Sequence, residues 1–300
     1  MDWLVIGGNG QLGKALTIVL SERKITFRAT ATNELDITSF SLCRDYIRTL
    51  APQVIVNAAA WTDVDRAETN PDEVYAVNAF AVLNLAAIAK ITSAVFVHIS
   101  TDYVFSGFPG RPWQENDLRK PVSVYGTSKA LGESSILRDH GEHSYIFRTA
   151  WLYSQWGKNF AKTMTRLALS GDGEVKVVND RVGQPTSALD LANQIVDSVL
   201  ARLPFGIYHA TNSGHGSWFD FAEQVFELSG ADSSRIVPIS ANELVRPAKR
   251  PEYSVLGHGG WSAVGALGTS VAPMRHWQIS MKEAMPAIIT LVQSEIDTWN

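Results

Sequence analysis

Cysteine is scarce in this sequence: Cys43 is the only one among 300 residues. An intrachain disulfide is therefore excluded, and the composition favours a reducing compartment. We expect Cys43 to be a buried thiol, because no metal-ligand pattern surrounds it. An excess of positive charge is also missing, since 26 Lys and Arg stand against 30 Asp and Glu, for a net charge of −4. This balance argues against a broad nucleic-acid or anionic-lipid surface.

Long hydrophobic runs and metal-ligand clusters are lacking as well. Apolar stretches such as Ala79–Ala89 are too short to span a bilayer, and this one contains the polar Asn84. Asp2 stands where a signal peptide would carry positive charge. The seven histidines form no helical ligand pair and have no cysteine partner. We therefore expect a cytoplasmic protein without membrane contact and without a metal.

Two patterns alternate through the first two-thirds of the chain. Short apolar runs predict the strands Trp3–Ile6, Ile25–Thr30, Gln53–Asn57, Ala94–Ser100, Tyr145–Trp151 and Ile207–Ala210. Segments of helical period predict the helices Leu12–Glu22, Ser39–Leu50, Pro71–Lys90, Tyr125–Arg138 and Asp190–Arg202. Apolar strands separated by helices predict an α/β fold with a doubly wound parallel sheet of the Rossmann type. Ligands of such sheets bind beyond the carboxyl ends of the strands.

The alternation fades after about Ser154, where turns rich in Gly, Pro and Trp appear. Two later segments, Trp218–Ser229 and Ser280–Trp299, predict helices. We expect a smaller, partly discontinuous α/β lobe in the C-terminal part that binds the substrate. The predicted dinucleotide-binding domain comprises residues 1–155 and 188–212, and the predicted lobe comprises residues 156–187 and 213–300.

A glycine-rich turn, Gly7-Gly8-Asn9-Gly10-Gln11-Leu12-Gly13, connects the first predicted strand to the first predicted helix. Gly7 permits the tight turn, Gly10 lets the backbone approach a pyrophosphate, and Gly13 allows close packing of helix on sheet. The helix N-terminus adds free N–H groups. Asn57-Ala58-Ala59-Ala60 follows the third strand, and its small residues let a backbone lie against a cofactor. A plain glycine turn is the alternative, and the strand–turn–helix context argues against it.

Three residues carry candidate chemistry. Tyr125 and Lys129 lie four apart at the start of a predicted helix, on one face. An ammonium beside a phenol would lower the tyrosine pKa from about 10, so that Tyr125 could exchange a proton with a carbonyl oxygen. Thr101 ends a separate strand and can polarise the same carbonyl by a hydrogen bond. The tyrosine–lysine pair alone is weak evidence, but the three together at strand ends predict one site.

These motifs resemble the extended short-chain dehydrogenases/reductases, in which the Gly7-x-x-Gly10-x-x-Gly13 spacing is typical. Longer segments are similar to the dTDP-4-dehydrorhamnose reductase family: residues 57–68, 147–153, 159–164 and 179–186, with Arg246-Pro247 and Arg250-Pro251. The resemblance covers most of the chain. It implies NAD(P)H-dependent reduction of the C4 ketone of dTDP-4-dehydro-β-L-rhamnose to dTDP-β-L-rhamnose. The implied partner is thus a nucleotide-linked 4-ketosugar, and the implied cofactor is NADPH, with NADH also accepted.

The resemblance also implies residue roles. Tyr125 would be the proton donor, Lys129 would hold the nicotinamide ribose and tune Tyr125, and Thr101 would polarise the ketone. The implied cofactor contacts are Gly10, Gln11 and Leu12 at the phosphates, Asp36 and Ile37 at the adenine, and Ala60, Trp61 and Thr62 at the inner edge of the cofactor. The implied deoxysugar contacts are Asp102 and Trp151, although a strand tryptophan is equally often a core residue.

Two arginines and one helix turn remain to be assigned. Arg246 and Arg250 suit a diphosphate, because guanidinium forks match phosphate oxygens, with solvated loop arginines as the equal alternative. Metal-bridged dimers of this family use a glutamate after the glycine loop, where this chain has Lys14-Ala15-Leu16. We therefore expect no structural metal, while a homodimer stays compatible with the resemblance.

Cofactor choice depends on the end of the second strand. NAD-selective sheets carry an acid there that binds the ribose 2′-OH and repels a 2′-phosphate. Here the strand ends without a carboxylate, and Glu34 follows later. We expect NADPH to be accepted at least as well as NADH, with Thr30 or Thr32 donating hydrogen bonds to the 2′-phosphate and Arg28 adding charge if it reaches the strand end.

Two alternatives stay open. One is another nucleotide-sugar enzyme of the same superfamily, such as an epimerase or a 4,6-dehydratase. A dehydratase would need an acidic pair after Thr101, whereas Asp102 is followed by Tyr103. The other is a non-catalytic regulatory subunit resembling the methionine adenosyltransferase accessory subunit. The intact Thr101, Tyr125 and Lys129 argue against it.

Overall fold

The computed structural model describes residues 2–108, 110–266, 268 and 271–298. The strands are β1 (Trp3–Ile6), β2 (Phe27–Thr30), β3 (Val54–Asn57), β4 (Val95–Thr101), β5 (Ser144–Thr149), β6 (Leu152–Tyr153), β7 (Val175–Val178), β8 (Val182–Gly183), β9 (Thr186–Ser187), β10 (Gly206–His209), β11 (Gly216–Ser217) and β12 (Ile236–Ile239). The helices are α1 (Gln11–Glu22), α2 (Phe40–Leu50), α3 (Val64–Ala67), α4 (Pro71–Tyr75), α5 (Ala81–Ile91), α6 (Val124–Asp139), α7 (Phe160–Leu169), α8 (Ala188–Leu200), α9 (Trp218–Leu228), α10 (Gly259–Gly265) and α11 (Trp277–Asp297). A π-helical turn, Ala76–Phe80, joins α4 to α5.

A six-stranded sheet in the order β10-β5-β4-β3-β1-β2 forms the centre of the protein. Every neighbouring pair in it is parallel. The chain starts in β1, runs outward to β2, and then continues on the other side of β1 through β3, β4 and β5. This reversal opens a crevice at the carboxyl edge of the sheet. The predicted doubly wound, Rossmann-type α/β fold is confirmed.

The central strands β1 and β3 are buried on both faces because nearly all of their side chains are apolar. In β1 the side chains alternate: Val5 packs with Leu16 of α1 and Ile195 of α8, while Leu4 packs with Leu85 of α5 on the opposite face. Each face of the sheet therefore has its own core. The buried Cys43 lies in the second core, where burial raises the pKa of its thiol to about 11, so the expected buried thiol is confirmed.

The helical run Pro71–Ile91 is long and apolar enough to cross a membrane by length and composition. The expectation that apolar stretches here are too short is therefore wrong for the run as a whole, because α4, the π turn and α5 join without a break. Half of the apolar window is buried inside the protein, and α5 contributes Val82 and Leu85 to the second core. A buried core helix meets the same criteria of length and composition.

The C-terminal part has a third core, formed by α7, α9 and α11 around Tyr153, Phe221 and Trp277. The predicted helices Trp218–Ser229 and Ser280–Trp299 are both present, although the predicted end at Trp299 lies outside the described residues. Not all of the predicted lobe packs here. Trp261 of α10 belongs to the first core and donates its indole N–H to the His209 carbonyl at 2.7 Å. The proposed domain boundaries stay a prediction.

Candidate active site

The glycine turn after β1 forms an open anion cradle at the start of α1. Gly7 has φ +86°, and a Cβ there would lie 2.7 Å from the Ala59 nitrogen. A Cβ on Gly13 would lie 2.2 Å from the Gly7 carbonyl oxygen, so the helix packs directly on the turn. Gly10 caps α1, whose first turn carries no acidic residue. The free N–H groups and the positive helix end therefore face the carboxyl edge without competing charge.

Two predicted cofactor residues in this turn have side chains that are engaged within the protein. The Leu12 side chain is buried in the first core. The Gln11 side chain accepts hydrogen bonds from the Ser154 hydroxyl at 2.8 Å and from the Asn159 amide at 2.9 Å. Ser154 and Asn159 thus connect later loops to the glycine turn. No local pattern in the sequence identifies this connection.

The end of β2 differs from expectation. Thr30 accepts the Gly7 N–H through its carbonyl, and its hydroxyl is buried without a partner among the described residues. The Glu34 carboxylate folds back to accept the Ala31 N–H at 3.0 Å and faces Arg28 at 3.4 Å. The expectation that no carboxylate lies at this strand end is therefore wrong. The turn after β2 returns Glu34 to that position, where Arg28 offsets its charge.

Asp36 and Ile37, the predicted adenine contacts, are also occupied by local structure. The Asp36 carboxylate accepts hydrogen bonds from the Thr38 N–H at 2.9 Å and from the Thr38 hydroxyl at 2.7 Å. The Ile37 side chain is buried in the second core. Their predicted adenine contact thus stays a prediction, and for Ile37 it rests on the backbone.

The predicted cofactor loop after β3 is held by a residue that the sequence analysis missed. Asn78, in the π turn, accepts the Trp61 N–H at 2.9 Å and donates to the Trp61 carbonyl at 3.0 Å. It also donates to the Ser128 hydroxyl of α6 at 3.1 Å. Ala58 and Ala60 are half-buried and Thr62 is exposed along this loop. The signal for Asn78 in the sequence was a polar residue within an apolar helical run, because a polar side chain buried there needs hydrogen-bond partners.

Thr101 and Tyr125 are brought together by the contact between β4 and α6. Ser123 caps α6 by accepting the Gly126 N–H at 3.1 Å. A Cβ on Gly126 would lie 2.2 Å from the Tyr103 carbonyl oxygen, so glycine lets α6 approach the turn after β4. Burial raises the pKa of Tyr125 to about 12, while the adjacent Thr101 hydroxyl opposes that shift. The Tyr125 phenol is therefore protonated at neutral pH.

The orientation of Lys129 differs from the one expected. Its amine donates to the Ile99 carbonyl at 2.5 Å and lies 3.2 Å from His98 Nε2. Burial lowers the pKa of Lys129 to about 8, and the nearby Glu133 carboxylate opposes the shift. The expected lowering of the Tyr125 pKa is therefore wrong for the structure, because burial dominates at the phenol and the lysine is held against β4.

Asp102 brings a buried carboxylate to the site. Its Oδ1 accepts the Thr101 hydroxyl at 2.9 Å, and its Oδ2 is buried without a partner among the described residues. Burial raises the pKa of Asp102 to about 6, and hydrogen bonds from Ser254 and Thr101 oppose the shift. Two further hydroxyls at this edge, those of Ser100 and Thr149, are likewise buried without a partner within the described ranges. Buried polar atoms of this kind normally find partners, so their clustering indicates a polar ligand.

Trp151 forms an aromatic wall next to this edge. It has φ +45°, and its ring stacks on Trp218 with centroids 3.7 Å apart. A Cβ on Gly183 would lie 2.5 Å from the Trp151 ring. Trp151 is half-buried and packs against the third core, so the core interpretation describes part of its surroundings. Its sugar contact stays a prediction.

The two predicted diphosphate arginines meet Asp65. Arg250 makes a bidentate pair with the Asp65 carboxylate at 3.0 and 2.7 Å, and Arg246 lies 3.5 Å from the same group. Arg250 also interacts with Tyr103, whose ring contacts Tyr125 edge-on at 5.6 Å. Arg250 is therefore a packed residue beside the site, whereas the Arg246 side chain is 51% exposed. Diphosphate binding by either one stays a prediction.

The arrangement of possible metal ligands does not test the expectation that the protein has no metal. Across residues 2–108, 110–266, 268 and 271–298, no group of three or more His, Cys, Asp or Glu side chains could hold a metal ion. The expectation of no metal thus stays a prediction.

Comparison with known proteins identifies the family. A family model described as the RmlD substrate binding domain matches residues 1–289. A dTDP-4-dehydrorhamnose reductase of Streptomyces griseus is 42% identical over 95% of this chain and 93% of its own length. A dTDP-4-keto-6-deoxy-D-glucose reductase of Streptomyces niveus is 37% identical over 95% of this chain and 97% of its own.

Solved structures agree with these relatives. The crystal structure of a dTDP-4-dehydrorhamnose reductase from Clostridium acetobutylicum has a TM-score of 0.90 at 39% identity and covers 95% of this chain and 99% of its own. The Bacillus anthracis reductase of the same name, in complex with NADP, has a TM-score of 0.89 at 33% identity and covers 95% and 98%. The predicted resemblance and the predicted class of enzyme are confirmed: the chain belongs to the dTDP-4-dehydrorhamnose reductase family.

Proposed function

We propose that this enzyme reduces the C4 ketone of dTDP-4-dehydro-β-L-rhamnose with NADPH and releases dTDP-β-L-rhamnose. The observation that carries the proposal is the convergence of Thr101, Asp102 and Tyr125 at the carboxyl edge of the sheet. The names of the Streptomyces griseus and Clostridium acetobutylicum relatives support the sugar. The NADP complex of the Bacillus anthracis relative supports the cofactor.

The residues at this edge fit a dinucleotide. The backbone of Gly7–Gly13 and the α1 N-terminus would hold a pyrophosphate. The buried hydroxyls of Thr30, Ser100 and Thr149, which have no partner in the described part of the chain, suit a polar ligand along the edge. Lys129 would hold the nicotinamide ribose. When bound, the reduced nicotinamide supplies two electrons, as a hydride, to the ketone carbon.

Tyr125 supplies the proton. Because its pKa is about 12, the phenol holds its proton at neutral pH and can give it to the carbonyl oxygen as charge develops there. Thr101 polarises the same oxygen once its hydroxyl turns from Asp102 to the ketone. The alcohol then carries the hydride at C4 and the Tyr125 proton on oxygen, and the phenolate recovers a proton from solvent.

The sugar would lie between Asp102 and the Trp151 wall. The Asp102 oxygen that has no partner among the described residues can accept a hydrogen bond from a sugar hydroxyl, and the half-buried Trp151 ring offers apolar surface. Arg250 lies near Tyr103 and Arg246 lies near Asp65, and the diphosphate would approach them. An acidic pair, which a dehydratase would need, is replaced by Asp102-Tyr103.

An assay of NADPH oxidation tests the proposal. The panel contains dTDP-4-dehydro-β-L-rhamnose, dTDP-4-keto-6-deoxy-D-glucose and a UDP-linked 4-ketosugar, and NMR of the product identifies the configuration at C4. We expect the highest kcat/KM with the first sugar. Turnover of the second sugar alone would instead favour the activity named for the Streptomyces niveus relative. A protein that turns over none would be a non-catalytic subunit.

A further inference from the structure

A chain of buried hydrogen bonds connects the predicted cofactor loop to Lys129. The Ala59 N–H donates to Asn57 Oδ1 at 3.2 Å, and Asn57 Nδ2 lies 3.3 Å from His98 Nδ1. On the other side of the ring, His98 Nε2 lies 3.2 Å from the Lys129 amine. The amine itself donates to the Ile99 carbonyl at 2.5 Å. The side chains of Asn57, His98 and Lys129 are all buried.

The directions of these hydrogen bonds follow from the first one. Because Asn57 Oδ1 accepts from Ala59, the amide group facing His98 is an NH2, which can only donate. His98 Nδ1 must then accept. Burial holds the pKa of His98 well below its usual value, so the ring is neutral and carries its proton on Nε2. That N–H points at the Lys129 amine.

Only an uncharged amine has a lone pair to accept the His98 N–H. An ammonium would place two donors face to face in a buried site, at the cost of one hydrogen bond. When Lys129 is neutral, every hydrogen bond from the Ala59 N–H to the Ile99 carbonyl has one donor and one acceptor. The lowered pKa of Lys129 agrees with this arrangement.

We propose that His98 is a positioning residue that favours the neutral amine of Lys129 in the cofactor-free enzyme, so that cofactor binding is coupled to protonation of Lys129. The inference rests on the proposed function, in which Lys129 holds the nicotinamide ribose. A ribose hydroxyl and the cofactor's negative charge favour the ammonium, which takes its additional proton from solvent. His98 thereby sets the pH above which the cofactor binds weakly.

Other groups also act on Lys129 and must stay constant in the test. Glu133 lies one turn later on α6 and favours the ammonium. Its carboxylate is paired with Arg148 of β5 at 2.7 Å and with Arg119 at 3.2 Å, so its charge is largely offset. Tyr125, one turn earlier, is protonated below about pH 12. Between pH 6 and 10, Lys129 is thus the group whose titration His98 controls.

The test is NADPH binding as a function of pH, followed by fluorescence, in two variants that differ by one methylene. Gln at position 98 reaches far enough to donate to Lys129, whereas Asn is shorter and does not. In the wild type we expect the Kd to be constant at low pH and to rise tenfold per pH unit above a break near pH 8. In His98→Asn the break should move up by about one unit, because the neutral amine loses its donor. In His98→Gln it should stay near the wild-type position.

The matched control is His140→Asn. His140 is a second buried histidine, which lies 3.0 Å from the Ala94 carbonyl, outside the Lys129 chain. A break that moves equally in His140→Asn and His98→Asn would overturn the proposal, as would an unmoved break in His98→Asn. If His98→Asn does not fold, His98→Ala, which also removes the donor, takes its place: an upward shift of the break by about one unit supports the proposal, and an unmoved break overturns it. Because the readout needs no sugar, a wild type that binds NADPH with this break but reduces no 4-ketosugar would reject the proposed function alone.

Discussion

The Thr101 hydroxyl donates a hydrogen bond to the Asp102 carboxylate across 2.9 Å, and the second carboxylate oxygen is buried without a partner among the described residues. Burial raises the pKa of Asp102 to about 6 from an ordinary value near 4, so the folded state binds this proton more tightly than the unfolded chain does. The ionised carboxylate therefore costs stability. That cost is absent below about pH 4 and complete above about pH 6.

We expect Asp102→Asn to increase the free energy of unfolding at pH 7.5 by on the order of 2 kcal/mol and to leave it nearly unchanged at pH 4. Urea denaturation at the two pH values measures both. Asp117→Asn is a control of opposite sign, because the hydrogen bond from Arg111 lowers the pKa of Asp117 to about 2, and its loss should reduce stability at neutral pH. An equal gain for Asp102→Asn at both pH values would contradict the assignment.

Tyr125→Phe should lower kcat by about 10²- to 10⁴-fold while NADPH affinity changes little, because the phenol acts only as charge develops on the carbonyl oxygen. Its pKa of about 12 further predicts no loss of reduction rate from Tyr125 ionisation up to pH 9. The control is Tyr145→Phe, which removes a buried hydroxyl that donates to the Leu203 carbonyl at 2.6 Å. That variant should lose stability and keep its kcat. A Tyr125→Phe enzyme within a factor of two of wild type would reject the proton-donor role.

Gly183→Ala should displace the Trp151 ring, because the new Cβ would lie 2.5 Å from it, with Trp218 stacked behind. We expect the KM for the 4-ketosugar to rise about tenfold, with a smaller change in kcat, and a loss of stability of about 1–3 kcal/mol. Gly173→Ala is the matched control, since nothing lies within 4 Å of a Cβ there. Equal kinetics for the two variants would show that the Trp151 wall does not contact the sugar.

Cofactor choice should follow the Arg28–Glu34 pair. We expect the wild type to use NADPH at least as well as NADH, because Arg28 can turn from Glu34 to a 2′-phosphate. Arg28→Ala should lower kcat/KM about tenfold for NADPH and little for NADH, and Glu34→Gln should shift the ratio the opposite way. Steady-state kinetics with both cofactors measure the ratio. A wild-type preference of tenfold or more for NADH would show that Glu34 binds the ribose and excludes the phosphate.

Arg250 and Arg246 should differ in their effects. Arg250→Ala removes two charge-assisted hydrogen bonds to Asp65 and should cost about 1–3 kcal/mol of stability. Arg246→Ala removes an exposed partner at 3.5 Å and should leave stability unchanged within about 0.5 kcal/mol. If Arg246 binds the diphosphate, the variant should have a higher KM for the nucleotide-linked sugar and an unchanged KM for NADPH. An unchanged KM would leave it a solvated loop arginine.

Most of the α/β frame could be predicted from the sequence because its signals are local. The hydrophobic periodicity predicts β4 and α6, and Gly126 lets α6 approach the turn after β4. Together they place Thr101 and Tyr125 at one edge of the sheet. The turn at Gly7 and the open start of α1 follow from four glycines within seven residues. The identities of the sugar and the cofactor came from the family resemblance, because hydrophobic periodicity carries no information about ligands.

Tertiary structure decided the charges and directions inside that frame. Glu34 returns to the end of β2 through a turn, and Arg250 finds Asp65 from 185 residues away. Whether Lys129 faces Tyr125 or His98 depends on which buried polar groups still need a partner, and that can be counted only once β3, β4 and α6 are packed together. Sequence spacing places a side chain on a face, but burial determines its pKa and its hydrogen-bond partner, and burial is a property of the assembled fold.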